Sequence, residues 1–230
     1  ASAELVDNGE GVMGASGGTL FPIPKTGLEL LWNATMPYRA WTEELVSDNA
    51  YVLADGNKEF VKELCQYHVS GQLKVAPEHV VKHVTDLMGK ADVHAFLKFK
   101  DWFDEANREL GKKQYLVPYF MSSHPGSQLE DAIELAEFIR DMGYHPQQVQ
   151  DFIPTPGTLS TCMWYTGIDP MTGEKVYTAK SYEEKLMQRA LMQYWLPKNH
   201  DIVRKALHLG HREDLIGFGP KCLVRPRRQV

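Results

Sequence analysis

The chain has 230 residues, 43% of them apolar and 24% charged, with a formal net charge of −5. This is the balance of an ordinary soluble globular protein with room for one large or two small domains. A net acidic chain gives no electrostatic reason to expect nucleic acid or an anionic membrane as partner, and no apolar run approaches a bilayer span. Three widely spaced cysteines, Cys65, Cys162 and Cys222, argue against a disulfide framework and for a reducing, cytoplasmic setting.

Residues 1–48 are dense in Gly, Ser and Pro and lack periodicity, so they read as an irregular, turn-rich segment. The run from Gly14 to Thr19 invites a phosphate-loop reading, but Gly18 is followed by Thr19 where that motif needs lysine, and no strand precedes it. Residues 28–33 fit a short helix and 51–54 a short strand. From about residue 51 the pattern changes. Phe60, Val61, Leu64 and Cys65 mark a helix stopped by Gly71, and residues 72–76 form a strand that ends at Pro77-Glu78-His79. Residues 80–88 form a helix closed by Gly89, and residues 93–110 a longer one closed by Gly111.

Residues 114–158 organise the rest. An apolar strand, 114–120, runs into Ser122-Ser123-His124-Pro125-Gly126. An amphipathic helix follows, with Glu130 and Asp131 in its first turn, where the helix dipole favours acids, and Gly143 at its end. A second strand, 149–153, ends at Pro154-Thr155-Pro156-Gly157. Strand, helix and strand at this spacing make a parallel βαβ unit, whose ligands sit at the carboxyl ends of the strands. Beyond Thr158 the chain reads as a short helical turn at 161–165, an edge strand at 175–177, a helix at 181–196 with a Ser181/Glu184 capping box, a helix at 199–209 and a compact tail.

Each candidate site residue has a bland reading beside the functional one. Glu78 and His79 stand where ligand-reading residues sit, yet both fit a helix cap. His79 and His83, four apart, could share a metal, but the glutamate of the zinc-protease pattern is missing between them. Ser122, Ser123 and His124 lack the Gly-X-Ser-X-Gly elbow of a nucleophile, so they read as groups that hydrogen-bond a ligand. Asp151, inside an apolar strand, either faces the site or pairs with a base. The cysteines lie 97 and 60 residues apart, so buried thiols are expected rather than cluster ligands.

Two resemblances add to this. The opening, DNGEGVMGASGGTLFPIPKTGLELLWN, resembles an internal piece of a proteobacterial family of exported proteins of unknown function. From about residue 51 to 224 the chain resembles the carboxyl-terminal part of the YgiQ family of radical S-adenosylmethionine (SAM) proteins, through VSGQLKVAPEH, GKKQYLVPYFMSSHPG, QVQDFIPTPGTLSTCMWYTGIDP and REDLIG followed by Cys222-Leu223. The resemblance implies an α/β fold: the later strands only of a partial radical SAM (β/α) barrel over residues 49–158. An irregular N-terminal segment of different origin, 1–48, precedes them, and a mostly helical family-specific extension, 159–230, follows.

The same resemblance implies SAM-binding residues. Glu78 would lie at the ribose, Ser122, Ser123, His124 and Gly126 along the adenine and methionyl side, and Ile153, Thr155 and Pro156 at the adenine. The family's 4Fe-4S cluster is held by Cys-X₃-Cys-X₂-Cys, which this sequence lacks, so no cluster is expected on this chain and the radical chemistry is expected to be lost. The expectation is therefore a chimeric or truncated radical SAM chain. Its alternatives are a non-catalytic SAM- or nucleotide-binding module and a structural fragment that self-associates through an unfinished sheet edge.

Overall fold

In the computed structural model, the described residues are 4–7, 12–16, 19–23, 53, 56 and 58–227. They form two compact units, one of residues 1–75 and 95–116, the other of residues 76–94 and 117–230.

The first unit opens with β1 (Glu4–Asp7), β2 (Val12–Ser16) and β3 (Thr19–Ile23), an antiparallel sheet in that order. This corrects the expectation of an irregular N-terminal segment. Ser16 pairs with Thr19, so only Gly17 and Gly18 separate the two strands. The helix expected at 28–33 lies outside the described residues. Of the strand expected at 51–54 only Leu53 is described, and it is helical.

Further along this unit lie α1 (Lys58–Glu63), a single π-helical turn at Leu64–His68, and α3 (Val93–Leu110), numbered after the intervening α2 given below. The apolar positions of α3, Phe96, Phe99, Phe103 and Ala106, recur at helical spacing and are buried. Two ion pairs one helical turn apart, Lys58–Glu105 at 2.6 Å and Lys62–Glu109 at 2.8 Å, lace α1 to α3. The π-turn leaves carbonyls needing donors. Gln114 Nε2 supplies the Cys65 carbonyl at 2.8 Å and Lys112 Nζ reaches the same oxygen at 2.9 Å.

Strands β4 (Gln72–Glu78), β5 (Tyr115–Ser122) and β6 (Gln150–Asp151) form one sheet in that order. The β5–β6 pair is parallel, with Met121 opposite Gln150 and Ser122 opposite Asp151. The residue before β4 accepts from the first residue of β5, Tyr115 N–H to Gly71 carbonyl at 2.9 Å, so these strands also start side by side. β6 is two residues long where five were expected. Val149 packs on the core, Ile153 is exposed, and Pro154 has no N–H to continue a ladder.

The second unit adds α2 (Lys82–Met88), α4 (Leu129–Asp141), α5 (Leu159–Thr166), α6 (Tyr182–Met192) and α7 (His200–Leu209), with 3-10 turns at Pro197–Asn199 and Glu213–Leu215. Its core joins Phe120 of β5 to Ile133, Ala136 and Ile139 of α4, Leu191 of α6 and Leu207 of α7. Along β5, Pro118, Phe120 and Ser122 are buried while Val117, Tyr119 and Met121 are half-buried, the period-2 alternation of a sheet covered by helices on one face. Ser181 caps α6 by accepting from the Glu184 amide. The helix ends at Met192, earlier than expected, and the Gln193 side chain turns back to the Pro146 and Gln147 carbonyls. The edge strand expected at 175–177 is only an isolated bridge between Ile168 and Lys175. No helix among the described residues is long and apolar enough to cross a membrane.

Candidate functional site

At the tip of β4, the His79 amide donates to the Pro77 carbonyl at 2.7 Å, a γ-turn that holds Glu78 at φ 59°. A left-handed residue with a side chain costs roughly 1–3 kcal/mol, and such residues concentrate at ligand clamps. The Glu78 carboxylate lies 3.8 Å from Lys90 Nζ. His79 is 1% exposed. Its Nδ1 accepts from the Val81 amide at 3.2 Å, which leaves the proton on Nε2, and that buried N–H has no partner. Burial first, then the nearby His124 and His83, push the imidazole down to about 3, so it is neutral.

At the tip of β5, Ser122 Oγ donates to Asp151 Oδ1 at 2.6 Å. Ser123 sits at φ 60°. Its amide donates to Gln188 Oε1 at 2.9 Å, while its buried hydroxyl has no partner. His124 donates from Nδ1 to the Pro125 carbonyl at 2.8 Å, so Nε2 accepts from the Ser160 hydroxyl at 2.9 Å. Burial lowers its basicity, which favours this neutral form. Gly126, at φ 93°, donates to the Tyr177 carbonyl at 2.7 Å, and a Cβ there would lie 2.4 Å from Leu87 Cδ1.

At the tip of β6, Asp151 pairs with Arg189 Nη1 at 2.8 Å. Of its two expected roles, the structure gives it the base. Ile153, Thr155 and Pro156 are exposed. The Thr155 carbonyl accepts from Thr158 and Thr161 hydroxyls, which seats the start of α5.

The expected residues therefore fall into three groups, with Glu78 half-buried at the tip of β4. Ser122, Ser123, His124 and Gly126 are buried together with His79, while Ile153, Thr155 and Pro156 stand exposed beyond β6. Ser122 and His124 spend their polar atoms inside the protein, and the Ser123 hydroxyl and His79 Nε2 are left over. A hollow of about 570 Å³ lined by Tyr119, Gln150, Arg189, Gln193 and Lys198 lies at the β6 edge and contains none of the expected site residues. Sequence reading missed Gln188 and Ser160, whose partners are 65 and 36 residues away.

Among the described residues no group of three His, Cys, Asp or Glu side chains could hold a metal ion. His83 instead contacts Asp131 at 3.1 Å. Burial pushes the Cys65 thiol up to about 11, the reverse of what a thiolate ligand needs. These residues do not fit an iron–sulfur cluster.

Two family models match parts of the chain. A domain of unknown function, DUF3362, matches residues 147–230, and a protein family of unknown function, DUF1329, matches residues 1–87. The particular relatives are UPF0313 proteins. One from Methanocella arvoryzae is 56% identical over 178 residues, 77% of this chain and 30% of the relative. One from Clostridium botulinum is 57% identical over 174 residues, 76% of this chain and 27% of the relative. One from Clostridium perfringens is 58% identical over 177 residues, 77% and 27%. The chain thus spans less than a third of the length of the curated relatives it matches. No solved structure matches it.

Proposed function

We propose that most of this chain is the carboxyl-terminal portion of a YgiQ-type radical SAM protein, and that the tips of β4, β5 and β6 bind the nucleoside side of SAM. The high identity to UPF0313 proteins supports the family. The observation that carries the site is the pair Glu78 and Ser123. Both are non-glycine residues in the left-handed region, at the carboxyl ends of neighbouring strands, each next to or bearing an unpartnered buried polar group. On this reading β4, β5 and β6 are the later strands of a partial barrel, and Glu78, Ser123 and Thr155 are its ligand-reading positions.

SAM bound to a reduced cluster supplies a carbon radical. The three cysteines of residues 1–230 form no Cys-X₃-Cys-X₂-Cys run, so a polypeptide of these residues alone binds SAM without cleaving it. The matches of DUF1329 to 1–87 and DUF3362 to 147–230 support a chain of mixed origin. The test joins calorimetric titration with SAM to anaerobic iron–sulfur reconstitution. Saturable binding with no cluster and no 5′-deoxyadenosine agrees with the proposal. A stoichiometric four-iron cluster contradicts the loss of chemistry, and absence of binding contradicts the site.

A further inference from the structure

We propose that the segment beyond Thr158, which lies wholly within the match to a domain of unknown function, is a brace that sets the loop after β5, with Gln188 of α6 as its positioning residue. The effect on ligand binding rests on the SAM reading above; the brace itself does not.

Gln188 is 0% exposed and sits among Met187, Ala190, Leu191 and Met192, the buried residues of α6. An apolar side chain would fill that helix position without needing partners, whereas a buried amide is costly unless every polar atom is satisfied. Its bonds all go to one place. Oε1 accepts from the Ser123 amide at 2.9 Å and from Ser127 Oγ at 3.1 Å, and Nε2 donates to the Ser127 carbonyl at 3.0 Å. Residues 123–127 have no helix or strand of their own, so this amide supplies what a ladder would otherwise give. It also holds the amide of Ser123, the residue kept at φ 60°.

Three more contacts come from the same segment. The Tyr177 carbonyl accepts from Gly126 at 2.7 Å, the Ser160 hydroxyl donates to His124 Nε2 at 2.9 Å, and Arg189 holds Asp151 at 2.8 Å. Asp151 in turn accepts from Ser122. The β5 and β6 tips are therefore both fixed from outside the βαβ unit. Residues 123–127 keep their shape because α6 is folded and docked, and the strained Ser123 backbone relaxes when the amide of Gln188 is removed.

The test is hydrogen–deuterium exchange of the full chain across residues 121–128, with residues 133–139 of α4 as internal control, alongside calorimetric titration with SAM. Gln188→Met keeps the bulk and removes all three bonds. It should raise exchange in 121–128 by about tenfold while α4 is unchanged, and weaken SAM by about tenfold. Gln188→Glu, whose second oxygen would face the Ser127 carbonyl in place of the donating nitrogen, should loosen the same loop rather than restore it. Unchanged loop exchange in Gln188→Met overturns the brace. A loosened loop with unaltered SAM affinity overturns its bearing on the ligand. If the wild-type chain does not bind SAM, the ligand reading fails and exchange alone decides the brace. Should Gln188→Met also loosen α4, Ser127→Ala replaces it: a smaller rise confined to 121–128 supports the brace, and no rise overturns it.

Discussion

Gly126 and Leu87 meet so closely that a single methyl group on the glycine would lie 2.4 Å from Leu87 Cδ1. The backbone there is also left-handed, at φ 93°. Gly126→Ala therefore pays twice, for conformation and for crowding, although the Leu87 side chain can yield a little. A loss of about 2 kcal/mol in urea unfolding is expected. Gly89→Ala is the control: it shares a positive φ of 68° but has open space around it, so about 1 kcal/mol is expected. Equal losses at the two positions would show that the contact with Leu87 is unimportant.

His79 makes stability depend on acid. Its folded imidazole resists protonation down to about 3, through burial and then its two histidine neighbours, against an ordinary value of 6.5. Between those values the unfolded chain binds the extra proton, so stability falls as pH drops below 6.5. Above that range His79 contributes no slope. One such group gives at most about 1.4 kcal/mol per pH unit, and His124, also lowered by burial, adds in the same direction. Urea midpoints between pH 7 and pH 5 should fall in the wild type and fall less steeply in His79→Gln. Parallel profiles would remove His79 from the account.

The three thiols should react in order of access. Cys162 and Cys222 are partly exposed, whereas Cys65 is buried with its thiol pushed up to about 11. At pH 8 a disulfide reagent should label Cys162 and Cys222 in the native protein and Cys65 only on unfolding. Native labelling of Cys65, located by peptide mapping, would contradict the packing of the π-turn at Leu64–His68 against Asn107 of α3.

How much of this was legible in the sequence depends on distance along the chain. The bounds of α3 follow from Phe96, Phe99, Phe103 and the stop at Gly111, because helical spacing and a terminating glycine are local signals. The N-terminal strands were not legible, since the Gly- and Ser-rich opening shows no sustained apolar alternation and so reads as an irregular, turn-rich segment. β6 was overestimated because Val149 and Ile153 look alike in sequence, yet one packs on the core and the other is exposed. At the site, the tips themselves were readable from where strands meet Pro, Gly and Ser. Gln188 was not, because a glutamine in a helix reads as a solvated face until the fold buries it against Ser123 and Ser127.

The Asp151–Arg189 pair should couple only modestly. Their side chains are 34% and 47% exposed, so solvent screens the attraction, and a double-mutant cycle should give about 0.5–1 kcal/mol. Ser122→Ala, which deletes the hydrogen bond to the same carboxylate, should cost about 1 kcal/mol more. A coupling above roughly 3 kcal/mol would mean that Asp151 behaves as a buried charge rather than a half-exposed one.

Amide chemical shifts of the isotopically labelled chain during titration with SAM test the site most directly. The largest changes should fall at Glu78 and His79, at residues 123–126 and around Thr155, and should saturate together. Shifts confined to the hollow around Tyr119, Gln150 and Lys198, or no saturable change at any residue, would contradict a ligand site at the strand tips.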